Sequence, residues 1–248
     1  MITRRSLLIG SAAAATGVAL APTAQAAACG PDVELRASPN LAVTVRTRSG
    51  WGADESYRFK DGKEIWPPEY FKAQTLTVHH EGAGTGGDPA ARVRGIHKLQ
   101  AVDNGWGDIG YHLLIGSDGV IFEGRWSGDD CVPVFAGTGV NPVNAAHVVN
   151  YNAANIGICL INNLSTVEPT AAALESLAKV AAVLSVRCGL DPLGTTNYVN
   201  PLLPDKRKTV PTMSLHREWV ATECPGAKLV PKMTQVKARV AELVKASR

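Results

Sequence analysis

The chain has 248 residues, of which 45% are hydrophobic and 19% charged, and its formal net charge is +3. That balance supports a buried core and excludes a disordered polyelectrolyte. The positive charge is too mild to recruit nucleic acid, but it suits work near an anionic surface.

The first residues address the compartment. Thr3-Arg4-Arg5-Ser6-Leu7-Leu8 is a twin-arginine start, an Ala-rich apolar stretch runs from Leu7 to Ala21, and Pro22-Thr23-Ala24-Gln25-Ala26 ends in an Ala-x-Ala cleavage pattern. Residues 1–26 are therefore expected to be a signal peptide for twin-arginine export, and the protein to be secreted or held in the cell wall. The stretch is too short for an anchor, so no integral membrane association is expected. Lipoprotein anchoring at Cys29 is disfavoured, because Ala26 stands where Leu is usual before such a Cys. Residues 27–45 are polar, with scattered Pro and Asn, and read as an extended arm; residues 46–248 read as one folded domain. Of the five cysteines, Cys159 lies in the apolar run 156–161 and reads as a buried thiol. Cys29, Cys131 and Cys188 leave room for one bridge whose pairing the sequence does not choose.

Within the domain, 46–57 is a turn-rich opening, and Gln74 to Val78 alternates as a strand ending at His79. Gly82 to Gly87 is a glycine-rich loop. Asp88 caps a helix with Pro89 in its first turn and Val93, Ile96 and Leu99 at helical spacing, stopping at Asn104-Gly105. Residues 111–115 and 120–123 flank an Asp118-Gly119 turn as a hairpin. His147-Val148-Val149 and 155–161 read as further strands, and Thr170 to Cys188 as an amphipathic helix stopped by Gly189. Pro192 to Pro211 reads as a long loop, and Lys228 to Ala246 as a closing helix with a basic, solvated face. Interleaved strands and helices predict an α/β domain, a central mixed β-sheet flanked by about three helices.

The chemistry concentrates in His216-Arg217-Glu218-Trp219-Val220-Ala221-Thr222-Glu223-Cys224-Pro225-Gly226 and in Thr77-Val78-His79-His80. Two imidazoles and one thiolate make a three-ligand zinc site whose fourth position is left for water, the pattern of a hydrolytic zinc. Neighbours on a strand face opposite ways, so only one of His79 and His80 is a ligand. A Cys–His nucleophilic pair, a cysteine peptidase using Cys224, is the rival reading, but no helix N-terminus is evident to lower the pKa of that thiol.

Taken together, Arg48-Ser49-Gly50-Trp51-Gly52-Ala53, Val78-His79-His80, Gly105-Trp106-Gly107-Asp108-Ile109-Gly110-Tyr111-His112, Asp118-Gly119 with Phe122-Glu123-Gly124-Arg125, Asn155-Ile156-Gly157-Ile158 and the 216–226 segment occur in the order of one family. The chain resembles the type-2 N-acetylmuramoyl-L-alanine amidases, in particular the peptidoglycan recognition protein branch, from about Arg46 to Gly226. The resemblance implies zinc held by His79, His216 and Cys224, a catalytic tyrosine at Tyr111 and a catalytic threonine at Thr222. It places His80, Trp106, His147 and Arg125 at the substrate, and implies peptidoglycan or muropeptides as partners of a monomer. Binding-only members of the branch lack the Cys ligand, which this chain keeps, so a non-catalytic peptidoglycan-binding module is the second rival. Two departures stand out: Glu81 follows the histidine pair where Thr or Ser is usual, and Ala145-Ala146-His147 replaces Gly-Ala-His.

Overall fold

The computed structural model describes residues 29–84 and 86–248; the twin-arginine segment and its cleavage pattern lie outside the described residues. In chain order the elements are β1 (Asp32–Ser38), β2 (Leu41–Arg46), α1 (Arg48–Trp51), β3 (Phe59–Lys60), β4 (Lys63–Glu64), β5 (Thr75–His80), α2 (Pro89–Lys98), β6 (Leu113–Ile115), β7 (Ile121–Glu123), β8 (Asn155–Leu160), α3 (Ala171–Cys188), β9 (Thr195–Val199), β10 (Arg207–Pro211), β11 (Met213–Leu215) and α4 (Met233–Ala246). Seven strands form one mixed sheet in the order β1-β2-β7-β6-β8-β5-β11. Strands β6, β8, β5 and β11 run parallel, and the β1–β2 and β6–β7 hairpins are antiparallel.

The helix boundaries follow the local chemistry that predicted them. Asp88 accepts from the backbone N–H groups of Ala90 and Ala91 at the start of α2. Thr170 accepts from Ala173 at the start of α3, and Gly189 ends it in the left-handed conformation at φ +67°. The sheet divides two layers. Leu76, Val78, Ile156, Ile158 and Leu160 face α3 and α4 in the main core, with Leu177, Val180, Val183 and Val240. The opposite face carries Leu114, Phe122 and Cys159 against Trp51, Val93 and Ile96, which join it to α1 and α2.

Three segments differ from expectation. In the stretch read as an extended arm, β1 and β2 form a hairpin at the sheet edge, with Leu35, Leu41, Val43 and Val45 buried against the main core. Alternation was present, but the exposed polar residues between those positions masked it. The 192–211 stretch is not a loop but the β9–β10 hairpin, which seats Tyr198 and Val210 against Trp219; Pro201 and Pro204 lie in its turn and Pro211 at its end, where strands tolerate proline. Residues 147–149 are not a strand, because Asn152 Oδ1 accepts the backbone N–H groups of His147 and Val148 and so competes with ladder pairing.

Cys29 is bonded to Cys131. Its sulfur is therefore committed in this structure. Cys159 is a buried thiol, as its apolar strand implied, and Cys188 stays reduced on α3.

Candidate metal centre

Strand β5 makes the site by alternation. Leu76, Val78 and His80 fall on one side of the strand, and Thr75, Thr77 and His79 on the other. His79 meets His216, which opens the turn after β11, and Cys224, eight residues further on. Their ligand atoms all lie within 4.8 Å of one another. Nδ1 of His79 is 3.8 Å from Sγ of Cys224, and the His79 and His216 rings are 4.5 Å apart. Tetrahedral zinc, with bonds of about 2.0–2.3 Å, separates its ligand atoms by roughly 3.3–3.8 Å. The donor set, its spacing and its softness therefore fit zinc with little movement.

Electrostatics favour a cation here. Burial holds His79 well below the ordinary imidazole range, helped by His147 and His216, so it stays neutral and able to ligate. Burial also lowers His216. The Cys224 thiol is pushed up to about 11 by burial, which the His80 N–H and Arg217 offset only in part. Without a metal it is a poor nucleophile at neutral pH.

Tyr111 stands beside this triad, its ring 5.3 Å from that of His79. Burial, with Cys159 and Cys224 nearby, raises its hydroxyl well above the ordinary value, so it remains a donor. The Thr222 hydroxyl accepts from the Cys224 N–H at 3.2 Å and shapes the turn that presents the thiolate. Glu81 pairs with Arg92 of α2.

Of the residues expected at the substrate, Trp106 is 38% exposed, and it lies close to Gly110 just before Tyr111. The other three are buried. His80 falls on the far side of β5, where its Nδ1 accepts from the Leu164 N–H at 3.1 Å and ties down the 161–166 turn. Arg125 is fully buried, paired to Asp108 at 2.8 Å and stacked on Trp66. It is a core cation in this structure. His147 is buried, and both of its ring nitrogens are engaged, one of them by His79.

Sequence reasoning missed the scaffold behind the triad. Asp108 accepts from Arg48, Arg125 and the backbone N–H groups of Ile109 and Trp126. Burial would raise its carboxyl, but Arg48, His97 and Arg125 hold it well below the usual range. Arg48, Asp108 and Arg125, from three separate blocks of the chain, thus meet in a buried ionic cluster. A second network joins Thr77, Ser214, Asn155 and Trp219: the indole N–H lies 2.9 Å from Thr77 Oγ1 and 2.8 Å from Ser214 Oγ. It locks the segment after His216 onto the sheet. The available signals were the Thr75/Thr77/His79 alternation and the glycine at 157 in an otherwise apolar strand, which marks a close approach.

A family model described as N-acetylmuramoyl-L-alanine amidase matches residues 69–227. A human N-acetylmuramoyl-L-alanine amidase is 31% identical over 140 residues, 55% of this chain and 19% of that protein. The chain thus spans about a fifth of the length of the first curated relatives it matches. Peptidoglycan-recognition protein SC2 of Drosophila melanogaster is 29% identical over 193 residues, covering 76% of this chain and 84% of the relative. Among solved structures, wild-type Drosophila PGRP-LB superposes with a TM-score of 0.54 at 26% identity, covering 76% of this chain and 91% of that one. A Tyr→Phe variant of the same Drosophila protein, 25% identical with a TM-score of 0.54, was solved in complex with tracheal cytotoxin; the match covers 77% of this chain and 92% of that one.

Proposed function

The chain belongs to the N-acetylmuramoyl-L-alanine amidase family, and on that premise we propose that it is an exported, zinc-dependent amidase acting on peptidoglycan. It would hydrolyse the amide joining the lactyl group of muramic acid to L-alanine of the stem peptide. The observation that carries this reading is the convergence of His79, His216 and Cys224 from distant segments onto one point. Binding-only members of the branch lack the cysteine, and its raised pKa argues against a free nucleophile.

His79, His216 and Cys224 would hold the zinc, which when bound supplies an acidified water and a Lewis acid for the scissile carbonyl. Tyr111 keeps its proton at neutral pH and donates it toward the oxygen on which negative charge develops. Thr222 orders the 222–224 turn, so the thiolate is fixed before substrate arrives. Trp106 offers an exposed ring near the cleft to the sugar or stem peptide. The tracheal cytotoxin bound by the Drosophila PGRP-LB variant supports peptidoglycan fragments as the ligand class. The Cys29–Cys131 bond supports an oxidising compartment, in keeping with the twin-arginine start.

The test is mass spectrometry of muropeptides incubated with metal-replete and chelated protein. Free stem peptide beginning at L-alanine, released only by the metal-replete sample, is the expected result. Binding of muropeptide without any release would make the protein a recognition module, and release indifferent to chelators but blocked by thiol alkylation would make Cys224 a nucleophile.

A further inference from the structure

Behind the triad lies a chain of imidazoles. Nε2 of His79 is 3.0 Å from Nδ1 of His147, and Nε2 of His147 is 2.9 Å from the backbone carbonyl of Asn155. A carbonyl only accepts, so Nε2 of His147 carries the proton. A neutral His147 then has its lone pair on Nδ1, and the remaining bond requires that His79 donate from Nε2. That leaves the lone pair of His79 on Nδ1, the nitrogen facing Cys224 Sγ.

We propose that His147 is a positioning residue that sets the tautomer and ring plane of His79, presenting its Nδ1 to the zinc ion. This rests on the proposed reading of His79 as a ligand. Metal-bound imidazoles usually give their second N–H to a carboxylate, a carbonyl or water. Here a second imidazole takes that place, and a main-chain carbonyl terminates the relay.

His147 is itself built in. Its backbone N–H and that of Val148 donate to Asn152 Oδ1 at 2.8 and 2.6 Å. Asn155, whose carbonyl ends the relay, receives Thr77 Oγ1–H on its side-chain oxygen at 2.8 Å. His112 stacks edge-on to His147 at 5.6 Å; its Nδ1 accepts the Gly157 N–H and its Nε2 donates to the Val143 carbonyl. The ring of His147 passes so close to β8 that a Cβ at Gly157 would lie 2.5 Å from its Cγ. Gly157 is therefore required by the imidazole and not by its own dihedral angles.

The relay makes separable demands. His147→Leu fills the space but accepts nothing, His147→Asn keeps an acceptor near the same point, and Gly157→Ala leaves every hydrogen-bonding group present but pushes the ring away. Zinc dissociation constants are to be measured by chelator competition on each full-length variant. The Leu variant should bind about 10- to 100-fold more weakly than wild type, the usual cost of losing such a partner, with Gly157→Ala in the same range and the Asn variant within a few-fold. Wild-type affinity in the Leu variant, with wild-type protein binding zinc normally, would overturn the proposal and spare the ligand assignment. No zinc binding by wild type would instead sink the ligand assignment itself. A measurement on the unmutated protein guards against variants that fold poorly: nitrogen-15 imidazole spectra should show His79 and His147 both protonated at Nε2. A proton on Nδ1 of His79 in the metal-free protein overturns the relay.

Discussion

The two faces of the central sheet are made by the same strands and obey different rules. On one, Leu76, Val78, Ile156, Ile158 and Leu160 pack against α3 and α4 with no polar partner to satisfy. On the other, one residue along in each strand, Thr75, Thr77, His79, Asn155 and Ser214 are almost as buried, yet all of them are hydrogen-bonded. The apolar face can repack after substitution, because dispersion and hydrophobic burial are not directional. The polar face cannot, because each donor has one geometry and an orphaned partner in a low-dielectric interior is costly. Stability and ligand geometry have thus been assigned to opposite sides of a layer one residue thick.

The largest effect should come from the polar face. Cys224→Ser and His79→Ala are each expected to abolish zinc binding and turnover together, whereas His80→Ala, one position along and on the other side, should keep its metal. Elemental analysis paired with a muropeptide assay reads this, and full zinc in Cys224→Ser would break the ligand assignment. Next, Tyr111→Phe should retain zinc and lose on the order of 10²-fold in turnover with little change in KM, since it removes one donor that acts as charge develops. Near-normal turnover in a metallated Phe variant would return Tyr111 to a packing role.

Smaller effects sharpen the contrast in stability. Leu76→Ala should cost about 2–5 kcal/mol in denaturant melts yet leave zinc affinity intact. Its neighbour Thr77→Val preserves volume but takes the hydroxyl donor from Asn155 Oδ1 and leaves the Trp219 N–H with Ser214 alone, costing about 1–3 kcal/mol and loosening the segment that carries His216. If both variants shift stability and metal affinity in proportion, the division between faces is wrong.

Acid supplies a last test. His79 and His147 lie well below, and His112 at about 4, because burial disfavours their charged forms. The unfolded chain therefore binds protons these rings refuse in the native state. Their stabilisation is complete above about 6.5 and drains away as pH falls towards about 4. Glu123, raised to about 7 by burial, acts with the opposite sign over part of that range. The lowered imidazoles, His80 and His216 included, outnumber the two raised carboxyls, Glu81 and Glu123, so the melting temperature of metal-free protein should fall between pH 7 and pH 4.5, and His112→Asn should flatten that slope.

What was legible in the sequence was local. The cap at Asp88, the stop at Gly189 and the Asp118-Gly119 turn each follow from neighbours along the chain, whereas strand alternation implied only that one of His79 and His80 could ligate, and the family resemblance named His79. Arg125 was read as a ligand-facing cation because its partner, Asp108, is recognisable only once β7 and the 105–112 segment are adjacent. The place of His147 was out of reach for the same reason: it is set by Gly157 and Asn155, whose approach is a property of the sheet. The β1–β2 and β9–β10 hairpins hid behind exposed polar alternation and turn prolines, whose burial pattern appears only after folding.

The Cys29–Cys131 bond closes a loop with a sequence separation of 102, and a metal bridging His79 to Cys224 would close another of 145. In chain order the four anchors run 29, 79, 131, 224, so the two closures interlace rather than nest. Each pins a point inside the ring formed by the other. In the chain-entropy view the covalent closure alone removes roughly 4–5 kcal/mol of freedom from the unfolded ensemble. With the metal bound, reductant or chelator alone would leave a chain still held by one constraint, and only their combination would release a linear polymer free to explore its full contour.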